Sequence, residues 1–162
     1  MKPKDLRLKN YNSMVEAFHS ESDRGAAVLA GSYVENVLGR YLAYKCTDKS
    51  KEEDLFGSNG PLSTFSQRIL ISEAFGLVSK STAETLSYIR KIRNHFAHHP
   101  LDASFASSPV REWIEVLRGL IELREDQEEI RSEMTNRNVY LLCCGFFSAS
   151  THVKMGDRGS HA

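Results

Sequence analysis

The stretch Tyr88-Ile89-Arg90-Lys91-Ile92-Arg93-Asn94-His95-Phe96-Ala97-His98-His99-Pro100 decides the fold, because its apolar residues recur at helical spacing. Ile89, Ile92 and Phe96 fall within one narrow arc of a helical wheel, the stripe of a helix that packs on a core. Pro100 blocks continuation. Arg93, Asn94 and His98 lie beside the stripe over roughly 140° of arc, with the small Ala97 between them. Charge is therefore predicted in a semi-buried position. Two readings of these groups stand open: they tie helices together by hydrogen bonds, or they bind or cleave a phosphodiester.

Outward from this helix, nearly every ordered stretch has helical period and none has sustained period-two alternation. The pattern predicts an all-α, single-domain bundle of about five or six helices over residues 1–155, with 156–162 a frayed tail. A first helix over about 10–19 buries Met14, Val15 and Phe18. Ser22-Asp23 cap a long second helix, in which Ala26, Ala30, Tyr33, Val34, Val37, Leu38, Tyr41 and Leu42 keep i, i+3, i+4 spacing. Residues 47–62 form a polar connection anchored by Leu55 and Phe56. Thr64-x-x-Gln67 and Ser81-x-x-Glu84 match the capping box and start helices three and four, the third ending near Gly76 and the fourth running from about Thr82 to His98. Ser108-Pro109 reads as an N-cap followed by proline at the first helical position. The fifth helix then buries Trp113, Val116, Leu117, Leu120, Ile121 and Leu123. The acidic stretch Glu122–Glu129 reads as a solvated helix face. The apolar run Asn138–Ser148 is too short to cross a membrane and is expected as a core helix or a dimer surface.

The chain has 162 residues, of which 41% are hydrophobic and 26% charged, the composition of a globular protein with a core of its own. Lysine plus arginine equals aspartate plus glutamate at 21 each, which argues against a protein that coats nucleic acid through a basic excess. Three cysteines without framework spacing suit a reducing compartment. Cytoplasm is expected, since Met1-Lys-Pro-Lys-Asp5 leads into no apolar signal core. Cys143-Cys144 are expected to be buried rather than metal-bound, so no metal is assigned. Gly60-Pro61-Leu62-Ser63-Thr64-Phe65 lacks the spacing of a phosphate-binding loop or nucleotide fingerprint, and no cofactor is expected. Gln67–Ile89 resembles a helix-turn-helix only loosely. Thr82 sits where an apolar anchor belongs, so direct DNA binding is not expected.

Each candidate residue also has a structural role open to it. Arg93 can pair with a carboxylate of a neighbouring helix, and Glu35 is the candidate. His98 and His99, in the last helical turn, can bond free carbonyls. Arg90, Lys91 and His95 extend a basic surface suited to phosphate or nucleic-acid contact, or simply a solvated face. Arg24, beside Gly25, can draw an anion to the second helix's N-terminus, whereas glycine followed by alanines equally suits close packing.

Glu21-Ser-Asp-Arg-Gly-Ala-Ala27, Gly60-Pro-Leu-Ser-Thr-Phe-Ser-Gln-Arg68, Phe75-Gly-Leu-Val78 and Ile89-Arg-Lys-Ile-Arg-Asn-His-Phe-Ala-His98, in that order, resemble the mannitol-operon-repressor (MltR) family over about residues 20–120. The resemblance implies an all-helical transcriptional repressor that acts through a protein partner in a regulatory complex. A homodimer is expected. More widely, Arg93-Asn94-x-x-x-His98 resembles the signature of HEPN domains, helical bundles that include metal-independent ribonucleases. That resemblance implies RNA as partner, His98 as general acid or base on a ribose 2′-hydroxyl, Arg93 stabilising the phosphorane and Asn94 orienting the histidine. A two-fold dimer would join two motifs in one cleft.

Overall fold

A computed structural model describes residues 12–121 and 128–156. Among them are eight α-helices and no strand: α1 (Asn12–Ala17), α2 (Asp23–Lys45), α3 (Glu52–Phe56), α4 (Phe65–Ala74), α5 (Lys80–His98), α6 (Val110–Leu120), α7 (Glu128–Glu133) and α8 (Asn136–Lys154). The fold is all-α. The count exceeds the expected five or six because the polar connection holds the short α3, and α7 precedes the C-terminal helix.

Helix α2 is the hub, packed against α4, α5 and α8. Its buried residues, Ala26, Ala27, Ala30, Gly31, Tyr33, Val34, Val37, Leu38, Gly39, Tyr41 and Leu42, surround most of the helix, as expected of one contacted from several sides. The small ones fall where neighbours come closest. Helix α5 buries Ala83, Leu86, Ile89, Ile92 and Phe96, a narrower stripe turned to α2, α4 and α6. Helix α8 closes the bundle by burying Val139, Tyr140, Leu141, Cys143, Cys144, Gly145, Phe147, Ser148 and Thr151. Burial pushes the Cys143 thiol up to about 12 and raises Cys144 as well. Both are core residues rather than nucleophiles.

The helix boundaries follow local chemistry, with three departures from the sequence reading. Ser22 Oγ accepts from Gly25 N at 3.0 Å, and Thr64 and Gln67 form the reciprocal capping box. Helix α5, however, starts earlier than Thr82, because Ser79 rather than Ser81 supplies the cap: its Oγ accepts from Thr82 N at 3.1 Å. Ser79→Ala is therefore expected to cost about 1 kcal/mol, and Ser81→Ala less than about half of that; urea unfolding of the two variants distinguishes the caps. Pro109 occupies the N-cap position of α6 instead of its first turn, while Ser108 Oγ donates to Glu112 Oε1 at 2.6 Å. The α6 stripe is Val110, Ile114 and Leu117; Trp113, Val116, Leu120 and Ile121 are only half-buried.

Gly76, at φ 66°, turns the chain out of α4, a conformation that favours glycine. Leu55 and Phe56 are half-buried against the core, as the anchoring role requires. Residues 122–127 of the acidic stretch, Leu123 included, lie outside the described residues, as do 1–11 and 157–162. Glu128 and Glu129 are exposed in the first turn of α7. No helix among the described residues is long and apolar enough to cross a membrane.

Candidate functional site

Where α5 crosses α2, Gly31 leaves room for the stem of Arg93, and a Cβ there would stand 2.6 Å from Arg93 Cβ and Cγ. The arginine then reaches along α2, and its Nη2 lies 2.9 Å from Glu35 Oε2, with the two side chains 20% and 21% exposed. Its guanidinium carbon stands 5.6 Å from the Phe65 ring centroid, a cation–π contact. Arg93 Nε is buried without a hydrogen-bond partner.

Arg68, from α4, converges on the same carboxylate residue. Its Nη1 donates to the Glu35 backbone oxygen at 3.2 Å and its Nε to Leu62 O at 2.8 Å. Burial lowers the Arg68 pKa, opposed by the charge of Glu35; a guanidinium remains protonated regardless. Tyr140, from α8, completes the crossing by donating to Ala27 O at 2.7 Å. Burial raises its phenol pKa well above the ordinary value, so it serves as a hydrogen-bond donor. These contacts fasten α2, α4, α5 and α8 at one place. Sequence reading offered Glu35 and Arg93 as a pair, but Tyr140 carried no signal beyond its place in an apolar run.

The rest of the Arg93-Asn94-x-x-x-His98 motif faces elsewhere. Five residues of α-helix rotate about 500°, leaving His98 roughly 140° from Arg93, and His98 is exposed whereas Asn94 is half-buried. One chain therefore does not turn Arg93 and His98 towards a common centre. Arg90 is half-buried, and the exposed Lys91 lays its Nζ 4.6 Å from the Tyr88 ring centroid. His95 stacks on His99, with ring centroids 4.3 Å apart, and meets Trp113 edge-on at 5.9 Å.

Arg24 Nε donates to Phe96 O at 3.3 Å, joining the start of α2 to the end of α5. Beside it lies an open groove of about 320 Å³, lined by Ser22, Arg24, Gly25, Val28, Leu29 and Ala97. The anion suggested for this helix N-terminus already has a counterpart in the chain: Glu21 Oε2 would lie 2.7 Å from a Cβ on Gly25, and Ser22 caps the same turn. Such an intramolecular carboxylate suits the positive end of a helix. No group of three or more histidine, cysteine, aspartate or glutamate residues is placed to hold a metal ion among the described residues.

The fold and the site define an all-α bundle whose motif arginine is held in a semi-buried ion pair. Comparison with protein-family models, curated proteins and solved structures finds no match.

Proposed function

We propose that this chain is an MltR-like transcriptional regulator or adaptor that works as a homodimer through protein association rather than by reading DNA. The observation that carries this reading is an exposed apolar stripe on α8. Phe146 and Val153 are 63% and 65% exposed, with the half-buried Leu142 and Ala149 completing the spacing. Residues 142, 146, 149 and 153 share one helical face. Four apolar residues on one helical face suit the same face of a second copy across a two-fold axis, and the formal net charge of +0 agrees with partners other than bulk nucleic acid.

The engagement of Arg93 with Glu35 and Phe65 supports the same choice, since the guanidinium is already occupied within the chain. The runner-up is a HEPN-like RNA-binding protein or endoribonuclease, favoured by an exposed His98 on the same side of α5 as Asn94. Here Arg93, Asn94 and His98 would carry cleavage, without a metal or cofactor.

Light scattering after size exclusion tests the association. The wild type is expected at twice the chain mass, and Phe146→Ser/Val153→Ser at the chain mass with helicity retained. A monomeric wild type would overturn the homodimer, and an unchanged dimer in the double variant would overturn the α8 face. Incubation with total tRNA and EDTA tests the runner-up in parallel. Cleavage by the wild type and none by folded His98→Ala would replace the adaptor reading with the nuclease.

A further inference from the structure

We propose that Asn59-Gly60 is a self-modification site, at which the asparagine cyclises onto the Gly60 amide nitrogen and hydrolyses to aspartate or isoaspartate whenever the turn before α4 opens. It is the sole Asn-Gly pair in the chain. Packing demands the glycine: a Cβ on Gly60 would stand 2.3 Å from Leu55 O and 2.6 Å from Asp54 O, backbone atoms that cannot swing aside. The close approach thus puts a residue without a side chain directly after an exposed asparagine. No Cβ then shields the Gly60 nitrogen from the Asn59 side-chain amide.

In the cyclisation Gly60 N bonds to Asn59 Cγ, the Cγ–Nδ2 bond breaks, and the Gly60 amide proton leaves with Nδ2 as ammonia. Solvent water then opens the imide. Attack at Cγ gives aspartate, whereas attack at the Asn59 backbone carbonyl gives isoaspartate, whose main chain is longer by one carbon. Nothing is oxidised or reduced.

The folded turn holds this reaction back. Gly60 N donates to Gly57 O at 2.8 Å, and Gly60 O accepts from Ser63 N at 3.2 Å. Attack requires the nitrogen to give up that proton and turn to Asn59 Cγ, and the Asp54 and Leu55 carbonyls leave Gly60 little room to turn. Cyclisation therefore runs through local opening. Isoaspartate hinders re-closing, because the added carbon displaces Gly60 from a contact without slack. The effect reaches the four-helix crossing. Leu62 N donates to Leu55 O at 2.8 Å, and Leu62 O accepts from Arg68 Nε at 2.8 Å. The Arg68 guanidinium carbon in turn lies 5.6 Å from the Phe56 ring centroid.

The intact chain is incubated at mildly alkaline pH, folded or in guanidinium chloride, beside a peptide of residues 57–62 in both solvents to correct for the denaturant. Pepsin digestion in acid stops cyclisation, and mass and retention time then report both products at position 59. The unfolded chain is expected to convert as fast as the peptide, and the folded chain at least about tenfold more slowly. Asn59→Gln, whose side chain would have to close a larger ring, should not convert measurably. Protein enriched in isoaspartate should unfold at a lower guanidinium concentration than wild type. Fresh Asn59→Asp, with a main chain of normal length, should keep the wild-type midpoint. No conversion in the unfolded chain would overturn the site. Folded conversion as fast as unfolded would overturn its gating by the turn, and a wild-type midpoint in the isoaspartyl protein would overturn the link to Arg68.

Discussion

Arg93→Ala is expected to lower the unfolding free energy by about 3 kcal/mol while leaving the helical fold intact in the absence of denaturant. The starting point is the cost of breaking a buried ion pair by removing one partner, about 3–5 kcal/mol. The pair in this protein is about one-fifth exposed, so solvent compensates part of the stranded Glu35 charge, and Arg68 beside it compensates more. Both effects move the estimate towards the lower end of that range. Loss of the Phe65 contact adds roughly 0.5–1 kcal/mol. Against a typical total of about 5–15 kcal/mol, this is a large loss.

The double-mutant cycle sharpens the expectation. Arg93→Met/Glu35→Gln removes both charges while keeping much of the buried volume, and should recover most of the stability lost in Arg93→Ala. Arg93→Lys should recover less, since an ammonium lacks the planar face and fork that reach Phe65 and Glu35 together. Urea unfolding of the wild type, Arg93→Met, Glu35→Gln and the double variant supplies the four corners of the cycle, and tRNA turnover is scored on the same preparations. Unchanged stability accompanied by lost RNA cleavage would reject the structural role of Arg93 and favour the catalytic one.

How much of this was legible in the sequence depends on the kind of interaction. The stripe of α5 was readable because burial there follows a helical period, the i, i+3, i+4 series of α2 because it marks one part of a helix buried nearly all round, and Thr64-x-x-Gln67 because a capping box is local chemistry. Ser79 was missed because Ser81 completes the better sequence pattern, whereas the backbone enters the helix two residues earlier. The α6 stripe was caught in part: Leu117 is buried as expected and Trp113 and Ile121 pack half-buried against the core, but the centre of the inward face is Val110, Ile114 and Leu117. The meeting of Arg68, Arg93, Glu35 and Tyr140 joins four helices, and periodicity within one helix carries no information about which neighbour arrives opposite. Likewise, the spacing of Arg93 and His98 shows their angular separation, but that Arg93 is engaged by Glu35 is a tertiary fact. The stacking of His95 on His99 lay nearer to view, since i, i+4 neighbours meet by helix geometry alone.

Gly31→Ala is expected to destabilise the protein by about 3 kcal/mol, although alanine is the better helix former by about 1 kcal/mol. The new methyl would stand 2.6 Å from Arg93 Cβ, Arg93 Cγ and the Tyr140 hydroxyl. None of these is a loose chain end. The Arg93 atoms are the root of a side chain anchored at Glu35, and the hydroxyl is fixed by its 2.7 Å bond to Ala27 O in a residue with no exposed surface. Relief therefore requires α2 to move away from α5 or α8. Overpacking of this kind costs about 1–3 kcal/mol and occasionally more, and shifting the buried Tyr140 from its acceptor adds about 1–3 kcal/mol. Those costs outweigh the propensity gain. Gly119→Ala, in α6 with nothing within 4 Å of the added methyl, should instead stabilise by roughly 0.5–1 kcal/mol. Tyr140→Phe in the Gly31→Ala background should restore part of the loss by removing one of the three clashing atoms. Chemical unfolding of these variants decides the matter: equal and opposite changes at positions 31 and 119 are not required, but a stabilised Gly31→Ala would contradict the close crossing of α2, α5 and α8.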